Sequence, residues 1–268
     1  MGRPMPAWSL RPETVETARQ VARWPARIDR EWAWGGSTGA GVRVCILDSG
    51  IEPGHPMVGP LERAVSVGPD GEIVEDTEGD VAGHGTACAG IVRALAPDCA
   101  LTSVRVLGAG AKGSGNVLLA GLRWAIDEGY HLVNLSLSTT KGELLTALHE
   151  AADMAYFRRT VLVASAHNMP VESYPWRFAS VISVGTHGEA DPWAFYVNPD
   201  PPVEFFARGL DVDVAWSGGG TLRCSGNSFA TPHVTGIAAL VLAKHPALTP
   251  FELKSALYLT ASNVEHPS

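Results

Sequence analysis

The stretch that most constrains the fold is CSGNSFATPHVTGIAALV, which spans residues 224–241 of the 268-residue chain. Its second half places apolar side chains at helical spacing and predicts a buried helix. Gly226 and its small neighbours leave room for another backbone to approach. Ser228 is therefore expected at the beginning of this helix, where free backbone N–H groups face any negative charge that forms beside its hydroxyl. Pro232 removes a backbone donor in the first turns, which is costly unless the helix requires it.

Two segments upstream carry an acid and a histidine at positions suited to catalysis. Residues 42–47, VRVCIL, predict a buried parallel strand that ends at Asp48, and catalytic groups of open α/β sheets collect at that end of the strands. Without the rest of the chain, Asp48 is better explained as an aspartate in the turn after a strand than as a catalytic acid. His84 precedes a helix of small residues, TACAGIV, so its imidazole projects from the beginning of that helix. Without the rest of the chain, His84 is better explained as a structural histidine than as a catalytic one.

Together, the three segments resemble the motifs of the subtilisin-like serine proteases (subtilases, peptidase S8). GNSFATPHV is similar to the nucleophile motif of that family, with Asn227 in place of the usual threonine. VCILDSGI is similar to its aspartate motif, and HGTACAG is similar to its histidine motif, with Ala87 in place of a second histidine. The chain order Asp48, His84, Ser228 is the order found in subtilisin.

The resemblance implies a serine endopeptidase that works through an acyl-enzyme intermediate. Ser228 would be the nucleophile, His84 the general base and acid, and Asp48 the group that orients the imidazole. Asn168, in a strand-end turn, would donate its side-chain amide to the oxyanion, although His167 stands where the family has glycine.

Two alternatives stay open at this point. One is a maturation protease dedicated to a single precursor, suggested by the lack of a visible signal sequence and of the folding prodomain that secreted relatives carry. The other is a catalytically silent peptide-binding module, for which His167 and Asn227 are the only hints.

Substrate contacts are also implied by the resemblance. The residues that present backbone groups to an extended polypeptide are Gly113, Ser114 and Gly115, and Ser136, Leu137 and Ser138. Such binding is strand addition, which engages the main chain and leaves selection to side-chain pockets. Ser138, His167 and Ser173 stand where glycine would open the P1 pocket, so we expect a narrowed pocket that prefers small or compact P1 residues.

No cofactor and no tight calcium site of the family's common type are expected. Residues 93–97, after the His84 helix, lead directly into a predicted strand at 100–107, without the asparagine- and glycine-rich insertion that holds calcium in many secreted relatives. The acidic stretch at residues 70–80 follows no ligand spacing, so we expect a solvated face rather than a weak cation site. Four irregularly spaced cysteines predict reduced, mostly buried thiols.

The charge of the chain bears on its partners and location. A formal net charge of −8 and the lack of a basic cluster argue against nucleic acid or an anionic membrane as a partner. No apolar run approaches the length of a transmembrane helix, and no secretory leader is visible. We therefore expect a cytoplasmic protein, with a processed secreted form as the alternative. The sequence does not indicate an oligomeric state.

Strands and helices alternate through most of the chain, which predicts a three-layer α/β fold. The resemblance adds a largely parallel seven-stranded sheet flanked by helices. We expect an N-terminal extension with one short helix at residues 1–29 and a peptidase domain at residues 30–268. One further departure from the family is Ala207-Arg208-Gly209, which stands in place of the usual A-P-G.

Overall fold

Seven parallel strands form the centre of the protein in the computed structural model, which describes residues 9, 11 and 24–265. The strands are β1 (Arg43–Asp48), β2 (Arg63–Val67), β3 (Ile73–Glu75), β4 (Ala100–Arg105), β5 (Leu132–Leu135), β6 (Val161–Ser165), β7 (Ile182–His187), β8 (Phe195–Val197), β9 (Phe205–Arg208), β10 (Val212–Trp216) and β11 (Gly220–Cys224). The main sheet has nine strands in the order β3-β2-β4-β1-β5-β6-β7-β9-β8. Its edge strands β3 and β8 run antiparallel to their neighbours.

The predicted parallel seven-stranded sheet is therefore present, but the total is nine because each edge carries one additional strand. Both additional strands are only 3 residues long, which is too short for a strand pattern to stand out in the sequence. β10 and β11 form a separate antiparallel hairpin.

Helices cover both faces of the sheet. Within the described residues they are α1 (Arg30–Trp34), α2 (His84–Leu95), α3 (Gly115–Asp127), α4 (Leu145–Phe157), α5 (Asn227–Lys244) and α6 (Pro250–Thr260), with a short 3-10 turn, Gly142–Leu144, before α4. Residues of α1, α2, α5 and α6 share one hydrophobic core, and residues of α3 and α4 share the other. This is the predicted three-layer arrangement.

β1 illustrates why the sheet is buried on both faces. Val44 and Ile46 lie in the core shared with α2 and α5, whereas Cys45 and Leu47 lie in the core shared with α3 and α4. Successive side chains of a strand point to opposite faces, so a strand that is covered on both faces has a continuous apolar sequence. The last residue of β1 is Asp48, at the end of the strand where the sequence predicts a catalytic acid.

α5 is the central helix of its layer. It is buried throughout residues 229–242, as expected for a helix with apolar residues all round. Gly236 lets α2 approach closely, because a Cβ at this position would lie 2.9 Å from the Cβ of Leu95. None of the described helices, α5 included, is long and apolar enough to cross a membrane.

The described part of the N-terminal extension packs against the domain. The rings of Trp24 and Trp32 lie 5.7 Å apart, and Trp32 stacks on His245 at 4.2 Å. Arg30, the first residue of the predicted peptidase domain, donates a hydrogen bond to the carbonyl of Thr260 at 3.3 Å. The packing of the domain thus begins before the predicted boundary at residue 30, whereas the short helix predicted for the extension lies outside the described residues.

Candidate active site

The carboxyl end of β1 and the beginning of α2 bring Asp48 and His84 together. Asp48 is fully buried, and its two carboxylate oxygens lie 2.8 and 2.9 Å from Nδ1 of His84. Because a carboxylate only accepts hydrogen bonds, Nδ1 carries the proton and Nε2 is free to take one. The His84 side chain is 19% exposed, so the ring remains accessible from solvent.

Glycines on both sides of His84 make this placement possible. Gly83 precedes the helix with a φ of 85°, a left-handed conformation that disfavours other residues. At Gly85, a Cβ would lie 2.0 Å from the carbonyl oxygen of Gly50. The GHG sequence therefore permits the close approach of α2 to the end of β1.

A second carboxylate, that of the half-buried Asp80, anchors the first turn of α2. It accepts a hydrogen bond from the Ser49 hydroxyl at 2.8 Å and from the N–H and hydroxyl of Thr86 at 2.8 and 2.6 Å. The side chain of Asp76 is fully buried, and it pairs with Arg105 at 3.0 Å. The solvated face predicted for this acidic stretch is therefore wrong at these two positions, because their partners are supplied by other elements and leave no local sequence pattern.

Burial and neighbouring charges act on the pKa of His84 in opposite directions. Burial disfavours the imidazolium, but the charge and hydrogen bond of Asp48, with a smaller contribution from Asp80, outweigh it and raise the pKa of His84 above its ordinary value. His84 therefore takes up a proton more readily than a free histidine does, which suits it to act as a general base.

Pro232 leaves the backbone carbonyl of Ser228 free to bond with the sheet. Ser228 lies in the first turn of α5, and Pro232, four residues later, lacks the N–H that would otherwise donate to the Ser228 carbonyl. That carbonyl instead accepts a hydrogen bond from the hydroxyl of Ser136, which follows β5, at 2.7 Å. The Ser136 hydroxyl in turn accepts the side-chain amide of Asn134 at 3.0 Å. The proline thus frees a carbonyl through which the sheet holds the serine.

Cys88, one of four free cysteines, packs between the Asp48–His84 pair and Ser228. Its Sγ lies 4.0 Å from a carboxylate oxygen of Asp48 and 3.6 Å from the carbonyl oxygen of Ser228. These contacts bring Ser228 next to the pair. Burial, together with the charge of Asp48, raises the pKa of the Cys88 thiol.

The same cysteine completes a group of possible metal ligands. Within the described part of the chain, the ligand atoms of Asp48, His84 and Cys88 lie within 4.8 Å of one another. Metals bind the thiolate form of cysteine, whereas the raised pKa keeps this thiol protonated. The group is therefore better suited to proton transfer than to metal binding.

Asn168 follows β6 and is tied to the beginning of α5. Its side-chain oxygen accepts the backbone N–H of Asn227 at 3.0 Å, which leaves its NH2 group free to donate. Asn227 donates its own side-chain amide to the carbonyls of Ala166 and His167 at 3.1 and 3.3 Å. Asn227 therefore joins the turn of Asn168 to the helix of Ser228, a role that the sequence did not reveal.

The loop predicted to contact substrate at residues 113–115 forms the beginning of α3. The hydroxyl of Ser114 caps the helix by accepting the N–H of Val117 at 3.2 Å. Gly113 and Gly115 have no room for a side chain, since a Cβ would lie 2.6 Å from a backbone oxygen at Gly113 and 1.9 Å from Leu144 at Gly115. The sequence of this loop is thus constrained by packing as well as by any contact with substrate.

The second predicted segment lies at the end of β5. Ser136 is buried beneath the carbonyl of Ser228, so it holds α5 in position. Leu137 and Ser138, the next two residues, are half-buried. Of this segment, Ser136 is the residue that directly contacts the candidate triad.

The three residues predicted to narrow the P1 pocket differ in exposure. Ser173 is fully buried, and its hydroxyl accepts the indole N–H of Trp176 at 2.8 Å. His167 and Ser138 are half-buried, and Nδ1 of His167 accepts the N–H of Met169 at 3.0 Å. Sequence reasoning missed Trp176, although a tryptophan so close to a predicted pocket residue was a visible signal.

A cavity of about 440 Å³ opens beside the turn that carries Asn168. Its lining includes Ala166, His167, Met169, Trp176, Phe206 and Asn227. Because His167 and Asn227 also belong to the turn and helix described above, this cavity is contiguous with the candidate site. A larger cavity, of about 510 Å³, lies between β9 and α6 and shares none of these residues.

Comparison with known proteins covers most of the chain. Residues 39–268 match the model of the subtilase family, Peptidase S8. Subtilisin DY of Bacillus licheniformis is 33% identical over 244 residues, which cover 85% of this chain and 86% of the relative. A subtilisin of Bacillus pumilus is 32% identical over 242 residues, with the same coverage. The crystal structure of a cold adapted subtilisin-like serine proteinase superposes with a TM-score of 0.72 at 28% identity, covering 85% of this chain and 86% of that one.

Proposed function

This chain belongs to the subtilase family, and from that premise we propose that Asp48, His84 and Ser228 form its catalytic triad. It is a subtilisin-like serine endopeptidase, and its substrates are polypeptides. The observation that best supports the assignment is the double contact between the Asp48 carboxylate and Nδ1 of His84, beside a serine in the first turn of a buried helix.

The proposed reaction begins at the hydroxyl of Ser228. As its oxygen attacks the scissile carbonyl, Nε2 of His84 takes the hydroxyl proton, while Asp48 keeps the other ring nitrogen protonated and stabilises the imidazolium. His84 then gives the proton to the leaving amine, and an acyl-enzyme on Ser228 remains. Water, activated by the same imidazole, hydrolyses the ester and releases the second product.

The negative oxygen of the tetrahedral intermediate needs hydrogen-bond donors that are already in position. We assign this role to the backbone N–H of Ser228, in the unsatisfied first turn of α5, and to the side-chain NH2 of Asn168. The support is that Asn227 fixes Asn168 through its oxygen and so leaves the NH2 group available.

The substrate is proposed to bind as an extended strand, with its main chain along residues 113–115 and 136–138 and its P1 side chain in a narrowed pocket. Trp176, packed on Ser173, supports a restricted pocket because an indole takes up the volume that a large P1 side chain would need. The same restriction favours, as a second candidate, a maturation protease dedicated to one precursor.

Cleavage of a mixed peptide library tests the proposed specificity. We expect cleavage after small or compact residues, abolished in the Ser228→Ala variant. Trp176→Ala should move the preference towards larger P1 residues, with its reaction with a serine-directed phosphonate serving as the check on folding. Preferred cleavage after Phe, Tyr or Leu by the natural chain would rule out the narrowed pocket. A chain that reacts with phosphonate but cleaves no library peptide would identify the dedicated protease.

We propose that the enzyme needs no tightly bound calcium of the type held after the histidine helix, because residues 96–99 alone connect α2 to β4 and carry a single carboxylate, Asp98. The net charge of −8 likewise supports polypeptides, and not nucleic acid or anionic membranes, as partners.

A further inference from the structure

A smaller cavity lies between α2, α5 and β10, outside the catalytic site. Its volume is about 200 Å³, and its lining includes Met57, Ile91, Leu95, Trp193, Arg208 and His233. None of Asp48, His84, Ser228 and Asn168 lines it. Most of the wall is apolar, so the three polar residues in its lining, Arg208, Asp213 and His233, decide what it can bind.

Arg208 brings an unsatisfied donor to this cavity. Its Nε is buried and has no hydrogen-bond partner among the described residues. The one carboxylate in the lining, Asp213, is already held by Arg223, with contacts of 2.9 Å to each of its oxygens. A buried guanidinium donor without an acceptor is costly. An anion bound in the cavity would satisfy it, and a planar carboxylate fits the guanidinium best.

His233 supplies the opposite kind of group. It is 3% exposed, and its Nδ1 lies 2.9 Å from the carbonyl oxygen of Phe229. A carbonyl only accepts, so the ring proton is on Nδ1 and Nε2 is an acceptor. Burial, with the positive charge of Arg208 as a smaller cause, lowers the pKa of His233 to about 4, so the ring is neutral near pH 7. Nε2 can therefore accept a hydrogen bond from an N–H or O–H group of a ligand.

We propose that this cavity binds an N-acyl amino acid with an apolar side chain, either free or as the C-terminal residue of a peptide. Its carboxylate binds Arg208, its amide N–H donates to His233, and its side chain packs against Ile91, Leu95 and Trp193. A simple fatty acid would leave His233 without a donor. The cavity is smaller than an ordinary small-molecule site, so its volume suits a ligand the size of one amino acid residue.

Calorimetric titration of the Ser228→Ala variant tests the proposal without interference from proteolysis. N-acetyl-L-leucine should bind, whereas N-acetyl-L-leucinamide, which lacks the carboxylate, should bind at least about tenfold more weakly. 4-Methylpentanoate, which lacks the amide N–H, should also bind more weakly than N-acetyl-L-leucine. The peptide Ala-Ala-Leu distinguishes the two sources: comparable affinity identifies a peptide C-terminus, and loss of binding identifies a free N-acyl amino acid.

Variants in the same background assign the binding to this cavity. Arg208→Met should abolish the preference for the acid over the amide, and Met57→Trp should block the mouth, where Met57 is 39% exposed. Arg158→Met, which removes an exposed arginine at the end of α4, should bind as the parent does. Thermal unfolding checks that each variant is folded. Equal binding of acid and amide, no binding of either, or full binding by a folded Arg208→Met variant would overturn the proposal.

Discussion

At the scale of single residues, the environment of His84 links charge to activity. In the proposed mechanism, His84 must be neutral to take the proton of Ser228, and its pKa is raised by Asp48 against the effect of burial. Activity is therefore lost as the pH falls through this raised pKa, and the acid limb of kcat/KM should lie above about pH 6.5, the ordinary pKa of histidine.

Asp48→Asn tests the origin of this limb. The variant lacks the charge that raises the pKa, so the limb should move to lower pH, and kcat should fall by about 10⁴-fold because the imidazole loses its tautomer. Asp70→Asn, at an exposed carboxylate, is the control and should leave the pH profile of kcat/KM unchanged. A limb that stays in place in Asp48→Asn would show that another group titrates.

Asn168 allows the donor role to be separated from the structural one. Asn168→Asp keeps an oxygen for the N–H of Asn227 but loses the NH2 donor. We expect kcat to fall by about 10²–10³-fold, the range measured when the equivalent donor is removed from subtilisin, with the melting temperature little changed. Steady-state kinetics and thermal unfolding of the variant measure both effects. Wild-type kcat in a folded Asn168→Asp enzyme would contradict the assignment.

Residue-scale features differ in how far the sequence predicts them. Asp48, His84 and Ser228 stand in motifs whose neighbours are themselves constrained by packing, as at Gly85, so the motifs are long and readable. The environments of Asp80 and Arg208 could not be predicted, because they are assembled from segments far apart in the chain.

At the scale of elements, the contact between the end of β5 and α5 depends on a backbone N–H that is missing from the helix. Since Pro232 offers no N–H, the Ser228 carbonyl relies on the hydroxyl of Ser136. Ser136→Ala should therefore lower the free energy of unfolding by about 1 kcal/mol, the net contribution of a typical hydrogen bond, because the weaker Cys88 S–H donor remains 3.6 Å from this carbonyl.

A double-mutant cycle tests this coupling. Pro232→Ala restores an N–H four residues after Ser228, so Ser136→Ala should cost less in that background than in the natural chain. Ser255→Ala, at a half-buried serine of α6, provides a control whose effect on the free energy of unfolding should be the same in both backgrounds. Equal costs of Ser136→Ala in both backgrounds, measured by denaturant unfolding, would mean that the proline is not the reason for this contact.

Elements buried on both faces were the most predictable. The apolar run at 42–47 corresponds to β1, which is buried on both faces. The edge strands β3 and β8 were missed because pairing with a neighbour, and not an apolar pattern, makes them strands. The β10–β11 hairpin was not predicted for a similar reason, since every residue from 220 to 223 in β11 is exposed.

At the scale of the whole molecule, the short connection between α2 and β4 bears on metal dependence. Asp98 is the only carboxylate in residues 96–99, and it is exposed. We expect a chelator such as EDTA to leave both the melting temperature and the rate of peptide cleavage unchanged. A drop in melting temperature that added calcium reverses would reveal a calcium site elsewhere in the chain.

We propose that one serine, Ser228, is activated by His84 and Asp48. Labelling of the intact protein with a serine-directed fluorophosphonate, followed by peptide mass spectrometry, tests it most directly. We expect a single adduct on Ser228, which forms much more slowly in His84→Ala and is absent in Ser228→Ala. Thermal unfolding checks that both variants are folded. Labelling that persists in a folded Ser228→Ala variant, or no labelling of the natural chain, would contradict it.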